Sequence, residues 1–116
     1  MIWLYISAIL MSVTAIIHSW AGEKRLIGPI LANGSKAIPT AQGRRVLRNA
    51  WHLTSAFMLT NAAVVAWPDV AAGLKTLVAA FWLMVGLFAL IASRGKHVGW
   101  PSLTLAGITA LVGIQA

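Results

Sequence analysis

The sequence predicts an all-α integral membrane protein, a single bundle of four antiparallel transmembrane helices. Three observations predict it. Of the 116 residues, 59% are hydrophobic and only 9% are charged, whereas about a quarter of the residues in an ordinary soluble domain are charged. The charges collect in short patches. Between the patches lie four apolar runs of roughly twenty residues, the length a helix needs to cross a hydrocarbon core of roughly 30 Å. Within that core each backbone N–H and C=O must be satisfied inside its own segment, so the runs must be helices. A chain this short holds one domain, 1–116.

The expected helices cover about 2–20, 46–67, 71–92 and 98–116. Trp3, Trp20, Trp51, Trp67 and Trp100 lie near their ends, where indole rings favour the headgroup layer. Trp67-Pro68-Asp69 separates the second run from the third, and proline suits the first turn of a helix. Ser93-Arg94-Gly95-Lys96 separates the third from the fourth. Both connections are short, so the second, third and fourth helices should run up, down and up beside one another. The stretch 21–45 is a long, largely polar loop containing Gly22, Gly28, Gly34, Gly43, Pro29 and Pro39. Gly22 is expected to end the first helix in a left-handed cap. Residues 26–31 are apolar but too few to span, and should lie on the membrane surface or fold back over the bundle.

The cations orient the bundle. Lys24, Arg25, Lys36, Arg44, Arg45, Arg48, Arg94 and Lys96 fall on one side, and Lys75 alone on the other. Cationic loops stay in the cytoplasm, so the loop 21–45 should be cytoplasmic. The N and C termini should lie on the non-cytoplasmic side of a bacterial inner (plasma) membrane. The net charge of +7 follows from this bias. It is not a nucleic-acid footprint, because no soluble basic face exists to carry one. Membrane lipids are the expected surroundings. Four short helices bury little lateral surface, so a homo-oligomer or a membrane partner protein is expected as well. Ser19-Trp20-Ala21 has the small-x-small form of a cleavage site, but no cationic stretch precedes the apolar run, so the first helix should be retained. With no cysteine in the chain, disulfides, thiolate metal sites and cysteine nucleophiles are excluded.

Small residues suggest how the helices meet. Ala8, Ser12, Ala15 and Ser19 form a stripe on the first helix, Ala79, Gly86 and Ser93 on the third, and Ser102, Ala106, Ala110 and Gly113 on the fourth. Such stripes let helix backbones approach closely. They describe architecture and carry no chemistry.

Chemistry must come from the polar residues. His18 falls in the last turn of the first helix, His52 near the start of the second and His97 at the start of the fourth, all at the cytoplasmic ends. Glu23 is the one acid on that side; Asp69, the other, lies opposite. Ionisable groups in or near transmembrane segments are costly and usually face the interior. Three imidazoles and a carboxylate are a sensible donor set for a transition metal such as Zn or Fe, with His18, His52, His97 and Glu23 as ligands. Plainer readings stand beside this one. His97 follows two cations and could be a solvated interfacial residue. His18 could hydrogen-bond Ser19 or a neighbouring helix. His52 shares a face with Asn49, Ser55 and Ala56, and could make an interhelical hydrogen bond. Glu23 could pair with Arg25, Arg44, Arg45 or Arg48. Asn61 and Thr54 lie on a different face of the second helix, suited to a second neighbour.

Two segments, His18-Ser19-Trp20-Ala21-Gly22-Glu23 and Arg48-Asn49-Ala50-Trp51-His52-Leu53-Thr54-Ser55, resemble those of a group of small uncharacterised bacterial four-helix integral membrane proteins. That group carries His-Ser-x-x-Gly-Glu after its first helix and Arg-x-x-Trp-His-x-x-Ser opening its second. The resemblance implies no activity. It implies that His18, Glu23, Arg48, Trp51, His52 and Ser55 form one site.

Four functions fit these observations. The first is a polytopic membrane protein holding a metal ion at its cytoplasmic mouth, where a bound water could make the site catalytic. There Ser19, Arg48, Asn49, Trp51 and Ser55 would support the ligands. The second is a b-type haem protein using His18 and His52, since bundle cores accept haem. The third is a small channel or transporter, and the fourth a non-catalytic partner subunit whose basic loop meets anionic lipid headgroups. The predicted topology is checked with a reporter that is active only in the cytoplasm. Fusion to either terminus should be silent, and strong activity from both would invert the topology.

Overall fold

The computed structural model describes residues 1–33 and 36–116, so Gly34 of the predicted loop lies outside the described residues. The described residues form helices joined by short connections, with no strand among them. Helix α1 spans Ile2–Gly22, a π-helical turn covers Glu23–Ile27, and α2 spans Gly28–Ala32. These three run on without a break, so Ile2–Ala32 forms one rod of 31 residues. Helices α3 (Ala41–Ala66), α4 (Ala72–Ala92) and α5 (Trp100–Gln115) complete the set.

The predicted and observed helices agree closely except around the loop. Gly22 does not cap α1. Its φ of −63° and ψ of −43° are those of a helix interior, and the chain passes through it. The expected polar loop is thus largely helical on both flanks. Pro29 explains the π-turn. A proline ring clashes with the carbonyl four residues earlier and offers no N–H. Widening the helix just before it, with the Gly28 N–H reaching back to the Glu23 carbonyl, accommodates both defects. At the other flank α3 starts at Ala41, five positions before the predicted 46. Its first turn is polar, but Thr40 caps it by accepting the Gly43 N–H at 3.0 Å, as a threonine N-cap does.

Helix order in space differs from helix order in the chain. Helix α1 sits between α3 and α5, and α4 packs against α5. Helices α3 and α4 meet only lightly despite their short connection, which corrects the expectation that consecutive helices are close neighbours throughout. The α4–α5 seam depends on missing side chains. A Cβ on Gly86 would stand 2.6 Å from the Thr104 backbone nitrogen, and one on Gly107 would stand 2.7 Å from that of Leu83. The α1–α5 seam is held by Leu4 against Gly113 and by Ser7, whose hydroxyl donates to the Ala106 carbonyl at 2.7 Å. Ser7 is wholly buried, and it lay outside the predicted small-residue stripe. Met11, Val65, Ala79, Trp82, Ala106 and Ala110 form the core between the seams. Lys75 is also buried, with 6% of its surface exposed.

Outside the seams much of the helical surface is apolar. Phe88 is 72% exposed and Ile91 75%, and Ile9, Phe57 and Leu77 are similarly bare. Two rods, Ile2–Ala32 and Ala72–Ala92, are long and apolar enough to cross a membrane. Helix α5 is apolar but has 16 residues.

The α1–α3 seam also depends on a missing side chain. A Cβ on Gly22 would stand 2.1 Å from the Trp51 indole nitrogen, so only glycine lets that ring lie across α1. Gly22→Ala should push the indole aside and lower stability by about 1–3 kcal/mol, the range for overpacking a tight contact. Equilibrium unfolding in detergent measures the loss.

Candidate functional site

The seam between α1 and α3 carries the polar residues. On α1 and its π-turn, His18, Ser19, Gly22 and Glu23 lie at spacings that share one helix face. On α3, Arg48, Trp51, His52 and Ser55 do the same. Where the two faces meet, the side chains form an unbroken run of hydrogen bonds. Arg48 Nη2 lies 2.9 Å from Glu23 Oε1, and His52 Nε2 lies 3.0 Å from Glu23 Oε2. His52 Nδ1 is 3.0 Å from Ser19 Oγ. The Ser19 hydroxyl donates to Ser55 Oγ at 2.6 Å, and Ser55 Oγ is 2.9 Å from His18 Nδ1. Trp51 clamps the inner end. Its indole N–H donates to the His18 carbonyl at 3.0 Å, and its ring stacks on the His18 imidazole at 4.3 Å between centroids.

The run changes in character along its length. Glu23, His52 and Arg48 are a third to a half exposed, whereas Ser55 is 6% exposed. On one flank the network opens into a cavity of about 520 Å³. Ser19, Glu23, His52 and Ser55 line its polar side, with Ala15, Ile16, Trp20 and Leu59 providing the apolar remainder. Lys24 also lines the cavity, its Nζ held 4.6 Å from the centre of the Trp20 ring.

The proton positions follow from counting. A carboxylate only accepts, so His52 Nε2–H donates to Glu23. A serine hydroxyl has one proton. With the Ser19 proton on Ser55, the Ser19–His52 contact requires a proton on His52 Nδ1 as well. His52 is then an imidazolium facing the Glu23 carboxylate. The Ser55 proton points to His18 Nδ1, and the His18 proton sits on Nε2. The same distances allow the opposite sense. A neutral His52 accepts from Ser19, Ser19 accepts from Ser55, and Ser55 accepts from His18 Nδ1–H. The charge on His52 and the tautomer of His18 are thereby tied together.

Most of the predicted site residues come together. His18, Glu23, Arg48, Trp51, His52 and Ser55 are all in the network, and Ser19, expected only to support the ligands, joins it as a link. Asn49 is exposed and joins none of these contacts, and Ala56 is exposed too, so the inward face of α3 runs through Trp51, His52 and Ser55 to the buried Ala62 and Val65. His97 stands apart in the α4–α5 connection. It is exposed, and its Nδ1 accepts the Gly99 N–H at 3.0 Å, closing a turn. Among the described residues no group of three or more His, Cys, Asp or Glu side chains is placed to hold a metal ion. Each serine hydrogen-bonds an imidazole, and the bond between the two serines also connects the rings. Their i, i+1 and i, i+3 positions beside His18 and His52 were the available signal.

Glu23 lies beyond the apolar stretch of α1. The His52 hydrogen bond, with the adjacent Arg48 guanidinium, holds its carboxyl below the usual carboxylate range. A lowered folded-state pKa stabilises the fold fully above the ordinary range, and that stabilisation is lost as pH falls through the lowered value. Acid should therefore loosen the α1–α3 seam only below the pH at which ordinary carboxyls protonate. Glu23→Gln should flatten that part of the stability profile between neutral and acid pH, and a mutant profile parallel to wild type would remove Glu23 from the account. No protein-family model, curated protein or solved structure matches the chain.

Proposed function

We propose that this chain is an integral protein of the bacterial inner membrane whose α1–α3 network is a proton-transferring ligand site at the cytoplasmic mouth. In this reading the four rods are antiparallel spans with both termini on the non-cytoplasmic side. The bare apolar surface supports insertion, because a soluble monomer rarely exposes contiguous apolar area on this scale. The pairing of Leu4 with Gly113, Ser7 with Ala106 and Glu23 with His52 supports opposed directions for neighbouring helices. The cation bias supports the orientation.

The observation that carries the functional reading is the unbroken hydrogen-bonded run from Glu23 to His18, reversible in sense and open on one flank to a cavity. Starting with a neutral His52, a proton added to His18 Nε2 releases the Nδ1 proton to Ser55. Ser55 passes its own proton to Ser19, and Ser19 passes its own to His52 Nδ1. The run ends with His18 neutral and His52 an imidazolium on the Glu23 carboxylate. One proton enters, and one positive charge appears at the other end. The steps along α3 from Arg48 to Ser55 make the run roughly 10 Å long at about 1.5 Å per residue. It does not continue through the bundle, since Met11, wholly buried, fills the α1 face beyond Thr14. The relay thus serves the mouth and its cavity rather than a trans-membrane proton path. The cavity wall is almost wholly apolar, so it suits an apolar chain lying against the network.

A transition metal on His18, His52, His97 and Glu23, or haem b on His18 and His52, remains the competing use of the same residues. Either would have to displace bonds already made by both His52 nitrogens and by His18 Nδ1. Long-range proton–nitrogen NMR of the detergent-solubilised protein decides between them. The relay predicts that the His18 tautomer follows the protonation state of His52, and that Ser19→Ala uncouples the two. Independent titration in the wild type would defeat the relay. Stoichiometric metal in the purified protein, or a Soret band, would move the site to metal or haem chemistry.

A further inference from the structure

A second cavity, of about 440 Å³, is lined by residues of α2 and the start of α3. Arg44, Arg45 and Arg48 all line it, with Gly28, Ala32 and Ala41 as small neighbours. The chain's bias toward cytoplasmic cations would be met by arginines anywhere in this segment. It does not require three to face one hollow, where Arg44 and Arg48, four residues apart on one helix, repel each other. Two of the three are held in place. Arg44 Nη1 donates to the Pro39 carbonyl at 2.9 Å, and Arg48 is paired with Glu23. Arg45 is exposed and makes no hydrogen bond or ion pair among the described residues. The chain has two acids, and only Glu23 reaches this group. Three guanidinium charges against one carboxylate leave an excess of two positive charges at the hollow.

The wall adds to the same field. Ala41 opens the 26-residue helix α3, whose first N–H groups have no partners within the helix and whose dipole favours an anion. Thr40 takes the Gly43 N–H. A planar, forked guanidinium matches phosphate geometry with two parallel hydrogen bonds, and small residues on the wall leave room for a tetrahedral group.

We propose that the Arg44–Arg45–Arg48 cavity binds a phosphoryl group. Arg45 and the open donors of Arg44 make the first contacts, and Arg48 is shared between this group and Glu23. Occupancy would therefore draw Arg48 from the carboxylate that faces His52. The phosphoryl group belongs either to an anionic lipid headgroup or to a soluble phosphate compound. The site meets the relay only at Arg48, and Arg45, the residue varied in the test, takes no part in the proton run.

The test has two arms, each run on wild type, Arg45→Ala and Arg45→Lys. In the first, inorganic phosphate is titrated calorimetrically into protein held in phosphatidylcholine nanodiscs. In the second, native mass spectrometry counts phosphatidylglycerol retained from mixed phosphatidylglycerol–phosphatidylcholine nanodiscs. Binding is expected in at least one arm, weakened tenfold or more by Arg45→Ala and partly restored in Arg45→Lys, with helicity by circular dichroism unchanged. A response to free phosphate assigns a soluble ligand, and a response to phosphatidylglycerol alone assigns the headgroup. No binding in either arm overturns the proposal, as does Arg45→Ala binding as tightly as wild type in the arm that responds.

Discussion

The scarcity of polar partners governs this molecule. A buried or half-buried polar atom without a partner is expensive, and an apolar bundle offers few. The polar side chains at the α1–α3 end therefore find one another. Glu23 answers both Arg48 and His52, Ser19 and Ser55 answer each other and an imidazole each, and Trp51 takes a backbone carbonyl. Elsewhere hydroxyls turn back on their own helix, as Thr14 does to the Leu10 carbonyl and Ser12 to that of Ala8. Ser7 is an exception at the other end of α1, spending its proton across the α1–α5 seam. The network is at once the structural seam and the only extended polar path among the described residues.

Bringing those groups within hydrogen-bonding range needs two backbone devices. Gly22 removes the side chain that would keep Trp51 and α3 at a distance. The π-turn at Glu23–Ile27 lets the rod continue past Pro29, so Glu23 is presented from a helix rather than from a loop. A carboxylate on a helical turn has a fixed height above the bundle. That fixed height is what allows it to span Arg48 and His52, one turn apart on α3, with its two oxygens. The π-turn also positions α2 as one wall of the arginine-lined cavity, so a single helix irregularity shapes both sites. Arg48 lies between them, and its side chain touches the relay on one side and the cavity on the other.

Much of the architecture could be read from the residues alone. The lengths of the apolar runs placed α4 and α5 to within two residues at either end, because hydrophobic length is a local property of the chain. The grouping of His18, Glu23, Arg48, Trp51, His52 and Ser55 came from the resemblance of two short motifs, whereas helical spacing alone put His52 with Asn49 and Ala56, which are exposed. The expectation of a polar loop at 21–45 failed for an equally local reason. Polarity, glycine and proline were read as loop signals, but in a helix flanked by tertiary contacts glycine can serve close approach and proline can be absorbed by a wider turn.

The sequence by itself determined that the chain is helical, which stretches are apolar, where the cations lie and which polar residues were available to meet. Tertiary structure decided who meets whom. It put α1 between α3 and α5, gave both His52 nitrogens partners other than a metal, left His97 and Asn49 outside, and gathered three arginines around one hollow. The physical reason is that each of these outcomes depends on distances between residues far apart in the chain. Periodicity fixes the face of a helix on which a side chain lies. Only the packing of one backbone against another, through Gly22, Gly86 and Gly107, fixes what stands opposite that face.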